Sequence, residues 1–280
     1  MREPRAPVPA GGQISSVGGS APAVGRAIDA GALAAALDDP GWLVVPGLVP
    51  DELCERLRLD VDVAVEEETR YHGGTDHHWH GRVLFCPRYG GGFMEILDQD
   101  AWFAPVEGLL GEDAILYTMT TSCLDPGETN TSSELHVDMR RTIPGYPLGI
   151  SMFVVVDDLT EEHGSTMLLP RSQHRSEPPG EDEFRRGAER LVAPAGSVVY
   201  AHPGVWHRSG RNVAGTRRRV VLMLMVRSWM KQRFDAARIV EPGLRPESET
   251  ARRRLGLLSV TPSSYDEFYE NARTGAYRRS

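Results

Sequence analysis

From residue 114 the chain becomes a succession of short β-rich runs, and that succession limits the fold more than any other feature. "AILYTMTTSCL", "SELHVDM", "LGISMFVVV", "STMLL", "GSVVYA" and "RRVVLMLMV" are separated by Pro, Gly, Asp and Asn turns. Two of the runs, 150–156 and 220–226, are almost continuously apolar. Strands of that kind are buried on both faces. They belong inside a sandwich or barrel with helices packed on the outside. The expectation is a mainly β fold with flanking helices, an antiparallel barrel or jelly roll, with its core at about 114–228.

The segments on either side read differently. Residues 1–25 contain five Gly, four Pro and no aromatic residue, which predicts a disordered tail. "AIDAGALAAALDDPG" predicts a short helix ending near Pro40, and "GWLVVPGLV" a short strand and turn. "PDELCERLRLDVDVAVEEE" has Pro50 in first-turn position, early acids and apolar residues at helical spacing. "TRYHGGTDHHWHGRVLFCPRYGGG" predicts a long loop, and "FMEILDQDAWFAPVEGLLG" one or two short helices. The stretch from Lys231 is polar, with helical signals near 248–258 and 264–272. No internal repeat is visible. One domain over 26–280 is expected, with residues 231–280 as a C-terminal helical extension.

Composition excludes several functions. The net charge of −8 gives no global basic field for a nucleic-acid backbone. Lys231 is the only lysine, so no Walker loop can form, and a Schiff-base lysine would have to be this one in a polar stretch. GxSxG, GxGxxG, HExxH and CxxC are all missing. Cys54, Cys86 and Cys123 are odd in number and scattered, which predicts free thiols in a reducing compartment, the cytoplasm. The N-terminal stretch has no signal-peptide apolar core, and no run is long enough to span a membrane.

The candidate chemistry begins at "SELHVDMRR". If the stretch is extended, His136 and Asp138 face the same side. Downstream, "AHPGVWHRSGRN" offers His202 and His207, and its turn pattern favours His207 as a third ligand. Two histidines and a carboxylate on one face of a metal form a facial triad that leaves three positions open, usually on Fe(II). Arg217, Arg218 and Arg219 open the last strand. Alternation turns Arg218 away from its two neighbours. A buried guanidinium without compensation is costly, so the arginine that points inward implies an anionic partner.

"HVD", "GSTMLLPRSQH" at 164–174, and "WHRSGRN" at 206–212 followed by Arg218 resemble the phytanoyl-CoA dioxygenase-like (PhyH) family. The likeness runs from about 30 to 230. It implies a double-stranded β-helix (a cupin-like jelly roll), Fe(II), O2 and 2-oxoglutarate as cosubstrate. It implies His136, Asp138 and His207 as iron ligands, and Arg218 with Ser209 as the anchor for the oxoglutarate carboxylate. The family often carries an amide where Met119 falls; Tyr117 and Thr121 share the parity of Met119 and are expected near the cosubstrate. Arg140, Trp79 and His80 are expected at the substrate, although a rim salt bridge and a solvated loop are competing readings. "DHHWH" at 76–80 also reads as a second metal site or, more simply, a loop. The implied reaction is hydroxylation of an unactivated C–H bond of a small metabolite, in natural-product tailoring, with release of succinate and CO2. Desaturation, epoxidation, epimerisation and ring formation use the same oxidant. Halogenation ranks lower because Asp138 is intact. An inert jelly-roll binding module is the rival of another class. Oligomeric state is left open.

Overall fold

The structure, a computed structural model, describes residues 28–258 and 261–274. The expected tail at 1–25 lies outside them. In chain order the elements are α1 (Ala30–Asp38), β1 (Trp42–Val45), α2 (Asp51–Tyr71), α3 (Gly92–Ile96), α4 (Asp100–Leu110), β2 (Ile115–Leu124), β3 (Gly149–Val155), β4 (Thr166–Leu168) and α5 (Glu181–Gly187). There follow β5 (Glu189–Arg190), β6 (Val198–Ala201), β7 (His207–Ser209), β8 (Arg218–Val226), α6 (Ala236–Ile239), α7 (Glu249–Arg254) and α8 (Tyr265–Thr274). Asp29 caps α1 by accepting from the Ala32 N–H at 2.8 Å. Pro50 stands at the N-cap of α2, one position before the first turn in which the sequence suggests it.

The strands form two antiparallel sheets. The larger has the order β1-β6-β3-β8-β2, the smaller β5-β4-β7. Strand β3 shows why its sequence is a continuous apolar run. Ile150, Met152 and Val154 pack against Leu53, Trp102 and Phe103 of the helices. Phe153 and Val155 face the opposite way, into a second cluster with Leu168, Leu191 and Val205. The large sheet is therefore covered on both sides, by helices on one and by the small sheet on the other. Each fully buried side chain of this size stabilises the fold by about 1.5–3 kcal/mol.

One expectation needs correction, and another gains a tertiary contact. "SELHVDM" is not a strand: it follows a short 3-10 turn at Thr131–Ser133, and among the described residues the only ladder contact of His136 is an isolated bridge to His207. It stays a loop, pinned by the His136–His207 bridge and by Met139 N–H, which donates to Pro203 C=O at 2.9 Å. The stretch at 72–85 is a loop as expected, but part of it runs along the free edge of β2. Thr121 N–H donates to Val83 C=O at 3.0 Å and Cys123 N–H to Gly81 C=O at 2.8 Å. Gly81 has φ +71°, and a Cβ there would lie 2.2 Å from the Cys123 oxygen, so only glycine permits this approach.

The extension after β8 is fastened by a buried cation. Arg254, 1% exposed, donates to Glu107 Oε1 at 2.8 Å and to Leu97 C=O at 2.8 Å, with its guanidinium over the Phe103 ring. Burial pushes the Glu107 carboxyl up, but the hydrogen bonds from Arg254 and Arg253 outweigh it and leave the group below its ordinary range. The unfolded chain therefore binds this proton more tightly. The contribution is fully present above the ordinary glutamate pKa and is lost as pH falls through the depressed folded value. Glu107→Ala leaves a buried guanidinium short of its main counter-charge, and chemical denaturation is expected to show a loss of about 3 kcal/mol.

Candidate active site

One cavity, of about 130 Å³, opens between the two sheets. Strand β2 contributes Tyr117, Thr118, Thr120 and Ser122 to it, and β8 contributes Arg218, Val220, Leu222 and Leu224. His207 and Ser209 enter from β7, Thr166 from β4, and His136 and Asp138 from the pinned loop.

Three ligand atoms converge at this cavity. One atom each of His136, Asp138 and His207 lie within 4.8 Å of one another. Asp138 Oδ1 is 3.9 Å from His136 Nε2 and 3.8 Å from His207 Nε2. The backbone sets this up: His136 N–H donates to His207 C=O at 3.0 Å, and His207 N–H returns the bond at 2.9 Å. Each imidazole is oriented by its other nitrogen. Nδ1–H of His136 donates to Glu134 C=O at 2.7 Å, and Nδ1–H of His207 to Val205 C=O at 2.9 Å. With Nδ1 protonated, each Nε2 presents its lone pair to Asp138. Burial and then the neighbouring His207 hold the His136 pKa below the usual histidine value, which keeps the ring a neutral donor. Ser151 Oγ–H donates to Asp138 Oδ2 at 2.6 Å, fixing one carboxylate oxygen and leaving the other facing the histidines.

Arg218 lies deeper in the same cavity. Alternation separates the three arginines as the sequence suggests. Arg217 pairs with Asp62 and Asp125, and Arg219 with Asp62 and Asp157, all on the outer side. Arg218 is 1% exposed and meets no carboxylate among the described residues. Its Nη1 donates to Gly164 C=O and its Nη2 to Ser122 Oγ, both at 2.8 Å, while the buried Nε has no partner. Burial pushes its pKa down to about 10. Ser132 Oγ links this end to Ser209 Oγ at 3.0 Å and to Ser122 Oγ at 3.2 Å. A buried cation with an unused N–H, ringed by hydroxyls, has the chemistry to hold a carboxylate. The two-nitrogen, one-oxygen donor set suits a divalent transition metal with open positions. The donor set and Arg218 therefore fit iron(II) and a dicarboxylate cosubstrate in one cavity.

Other expected site residues stand elsewhere. Met119 is fully buried in the core between the sheet and the helices, and the Thr121 hydroxyl accepts from Val83 N–H at 2.9 Å on that same face. The cavity face of β2 is the even-numbered one. Tyr117 joins it because the β2–β8 register shifts between Leu116 and Thr118. Arg140 is exposed and outside the cavity lining, as are the half-buried Trp79 and His80. His80 Nε2 meets Glu128 at 3.1 Å instead. His80, Asp125 and Glu128 do come together, but Asp125 is held by Arg217 and Glu128 by His80. His202, whose pKa burial and His174 lower to about 4, accepts from Gly204 N–H and takes no part in the triad. Sequence reasoning missed Ser151, Ser122 and Arg82, which lines the cavity from the edge of β2.

A family model described as Phytanoyl-CoA dioxygenase (PhyH) matches residues 37–220. Mycobacterium bovis has an uncharacterized protein, Mb1539, that is 26% identical over 71% of this chain and 75% of its own length. The L-proline trans-4-hydroxylase of Streptomyces griseoviridis is 28% identical, over 28% of this chain and 41% of that one. Among solved structures, EvdMO1 superposes with a TM-score of 0.57 at 16% identity, covering 70% of this chain; the match spans only 50% of EvdMO1. SnoN, a non-heme alpha-ketoglutarate-dependent epimerase from nogalamycin biosynthesis, gives 0.55 at 16%, over 71% of this chain and 83% of SnoN. HygX from Streptomyces hygroscopicus, solved with nickel and 2-oxoglutarate bound, gives 0.55 at 16%, over 72% of this chain and 88% of HygX. These likenesses show a shared fold.

Proposed function

Since the chain belongs to the phytanoyl-CoA dioxygenase (PhyH) family and is an iron(II)/2-oxoglutarate-dependent oxygenase, we propose that it hydroxylates an unactivated C–H bond of a small metabolite, in natural-product tailoring. The observation that carries the assignment is the meeting, in one cavity, of the His136, Asp138 and His207 ligand atoms with an unpaired, buried Arg218. In this reading those three side chains hold iron(II), and Arg218 with Ser209 and Ser122 grips the far carboxylate of 2-oxoglutarate. Iron so held supplies the oxidation of 2-oxoglutarate by O2 to succinate and CO2, and with it the oxidant that inserts one oxygen atom into a substrate C–H bond.

The chain's own groups do the rest. The carbonyls of Glu134 and Val205 keep both imidazoles in the ligating tautomer. Ser151 holds Asp138 so that one oxygen is directed inward. Phe153, Leu159, Val220, Leu222 and Leu224 line the cavity and exclude water from the reacting region. Tyr117 stands at its rim, where it contacts the cosubstrate or substrate. The two facing sheets are read as the double-stranded β-helix, and residues 26–280 as one oxygenase domain. Cys54, Cys86 and Cys123 are free and buried, which supports a reducing, cytoplasmic setting. No described helix is long and apolar enough to cross a membrane. SnoN is named an epimerase, so the same oxidant with another outcome is the second reading; intact Asp138 ranks halogenation below both.

Anaerobic addition of Fe(II) and 2-oxoglutarate tests the proposal. A weak visible charge-transfer band is expected, followed on oxygenation by succinate. A protein that shows neither sinks the assignment. Ser151→Ala is expected to weaken metal binding about 10- to 100-fold with little change in melting temperature, because its buried hydroxyl bonds Asp138 and alanine fills nearly the same space on β3. Titration with Fe(II) under nitrogen measures this.

A further inference from the structure

Two more arginines line the cavity, and neither forms an ion pair among the described residues. Arg82 enters between Gly81 and Val83, the two residues whose carbonyls bond the edge of β2. Its Nη1 and Nη2 make only long contacts, 3.4 Å each, to Thr131 Oγ1 and Thr120 Oγ1. Its Nε is buried and has no partner. Arg233 follows β8 and is tied by its backbone, its N–H donating to Tyr117 C=O at 3.1 Å. Its exposed guanidinium lies beside the Phe234 ring, 5.7 Å from the centroid.

Strand β2 acts as a ruler between these cations. The Arg218 guanidinium bonds Ser122, that of Arg82 reaches Thr120, and the backbone of Arg233 is fixed at Tyr117. Five residue steps of strand lead from Ser122 to Tyr117, roughly 16 Å at about 3.3 Å per residue. The four C–C bonds of 2-oxoglutarate, at about 1.5 Å each, span at most about 6 Å. A molecule anchored at Arg218 therefore ends well short of Arg233. The acidic neighbour of Arg82 in the cavity is Asp138, which the proposed metal engages, and Arg233 forms no ion pair among the described residues, so both guanidinium groups are left to meet an anion from outside the chain.

We propose that Arg233 and Arg82 bind an anionic group of the substrate, a carboxylate or a phosphate. The substrate is thereby an acid or phosphate ester, held by its charged end so that its carbon skeleton lies over the His136–Asp138–His207 centre. This deepens the function given above and rests on that reading.

The test uses the full chain loaded with Mn(II), a paramagnetic stand-in for iron, and saturated with 2-oxoglutarate so that Arg218 is filled. Loss of the free Mn(II) resonance signal measures metal uptake. Inorganic phosphate and 13C-labelled acetate are then titrated separately, with nuclear relaxation of 31P or 13C as the readout. Saturable relaxation of at least one anion is expected, and the tighter of the two names the class. Arg233→Gln and Arg82→Gln should each weaken it about tenfold, the scale of one lost charge-assisted hydrogen bond. Arg140→Gln, outside the cavity, should leave it unchanged. Metal uptake without saturable relaxation overturns this inference alone. So does unaltered binding in both cavity variants, or a loss confined to Arg140→Gln. Failure of metal uptake overturns the proposed function, and this inference with it.

Discussion

Asp138→Ala is expected to lower succinate formation from 2-oxoglutarate by at least about a hundredfold, because residues that merely orient a ligand already contribute 10- to 100-fold and Asp138 is a proposed ligand itself. The variant should still fold. Asp138 sits on a loop, its side chain 29% exposed, and its hydrogen bond to Ser151 adds little to the core. The histidine pair is held by two backbone bonds that the substitution does not touch. An unchanged melting curve together with lost turnover and lost Fe(II) binding is thus the expected pattern. His207→Ala should lose turnover equally, at some cost in stability, since its ring is packed near Phe153. Succinate production at the wild-type rate in either variant removes the metal assignment.

Arg218→Gln should reduce 2-oxoglutarate affinity by about a hundredfold, roughly 3 kcal/mol for a lost charged partner. Its effect on the empty protein is expected to be of a different kind. Burial lowers the Arg218 pKa to about 10, so the unfolded chain binds that proton more tightly than the folded one. Between about pH 10 and the ordinary arginine value, rising pH should therefore favour the fold, and at neutral pH the buried cation costs stability. Glutamine removes that cost while giving up the bonds to Gly164 and Ser122. The two effects oppose, so the melting temperature without cosubstrate should stay within roughly a few degrees of wild type. The rise that 2-oxoglutarate gives the metal-loaded wild type should vanish. A variant that keeps this rise shows that the anchor lies elsewhere.

How far the sequence leads can be judged from these same residues. Continuous apolar runs mark β3 and β8 as strands covered on both sides, and alternation separates Arg218 from Arg217 and Arg219. The resemblance to the PhyH family is what implies Arg218 among the three. Alternation alone does not say which face of β2 looks into the cavity, and the parity of Met119 points to the wrong one. The register shift at Leu116–Thr118 then moves Tyr117 across. Nor does an i, i+2 pair require a strand: His136 and Asp138 face one way from a loop held by the bridge to His207, the bond from Met139 to Pro203 and the Ser151 hydroxyl. Arg82 was hidden for a different reason. A glycine- and histidine-rich stretch reads as solvated loop, and only tertiary bonding to the edge of β2 turns one of its residues inward. Ser151 sits within a run dominated by apolar neighbours, where one hydroxyl carries no signal of its own.

The reciprocal backbone bonds between His136 and His207 have a consequence for how the centre is loaded. Both imidazoles are held by bonds to backbone groups that involve no ion, so little rearrangement is left for an ion to drive. Three protein donors that leave the other positions open impose little coordination geometry of their own and so choose weakly among divalent ions. The intrinsic order of stability then places nickel, copper and zinc above ferrous iron at these donors. Which ion occupies the pocket is accordingly governed by what the surrounding cell keeps free, and starvation for iron would leave a correctly folded but mismetallated protein.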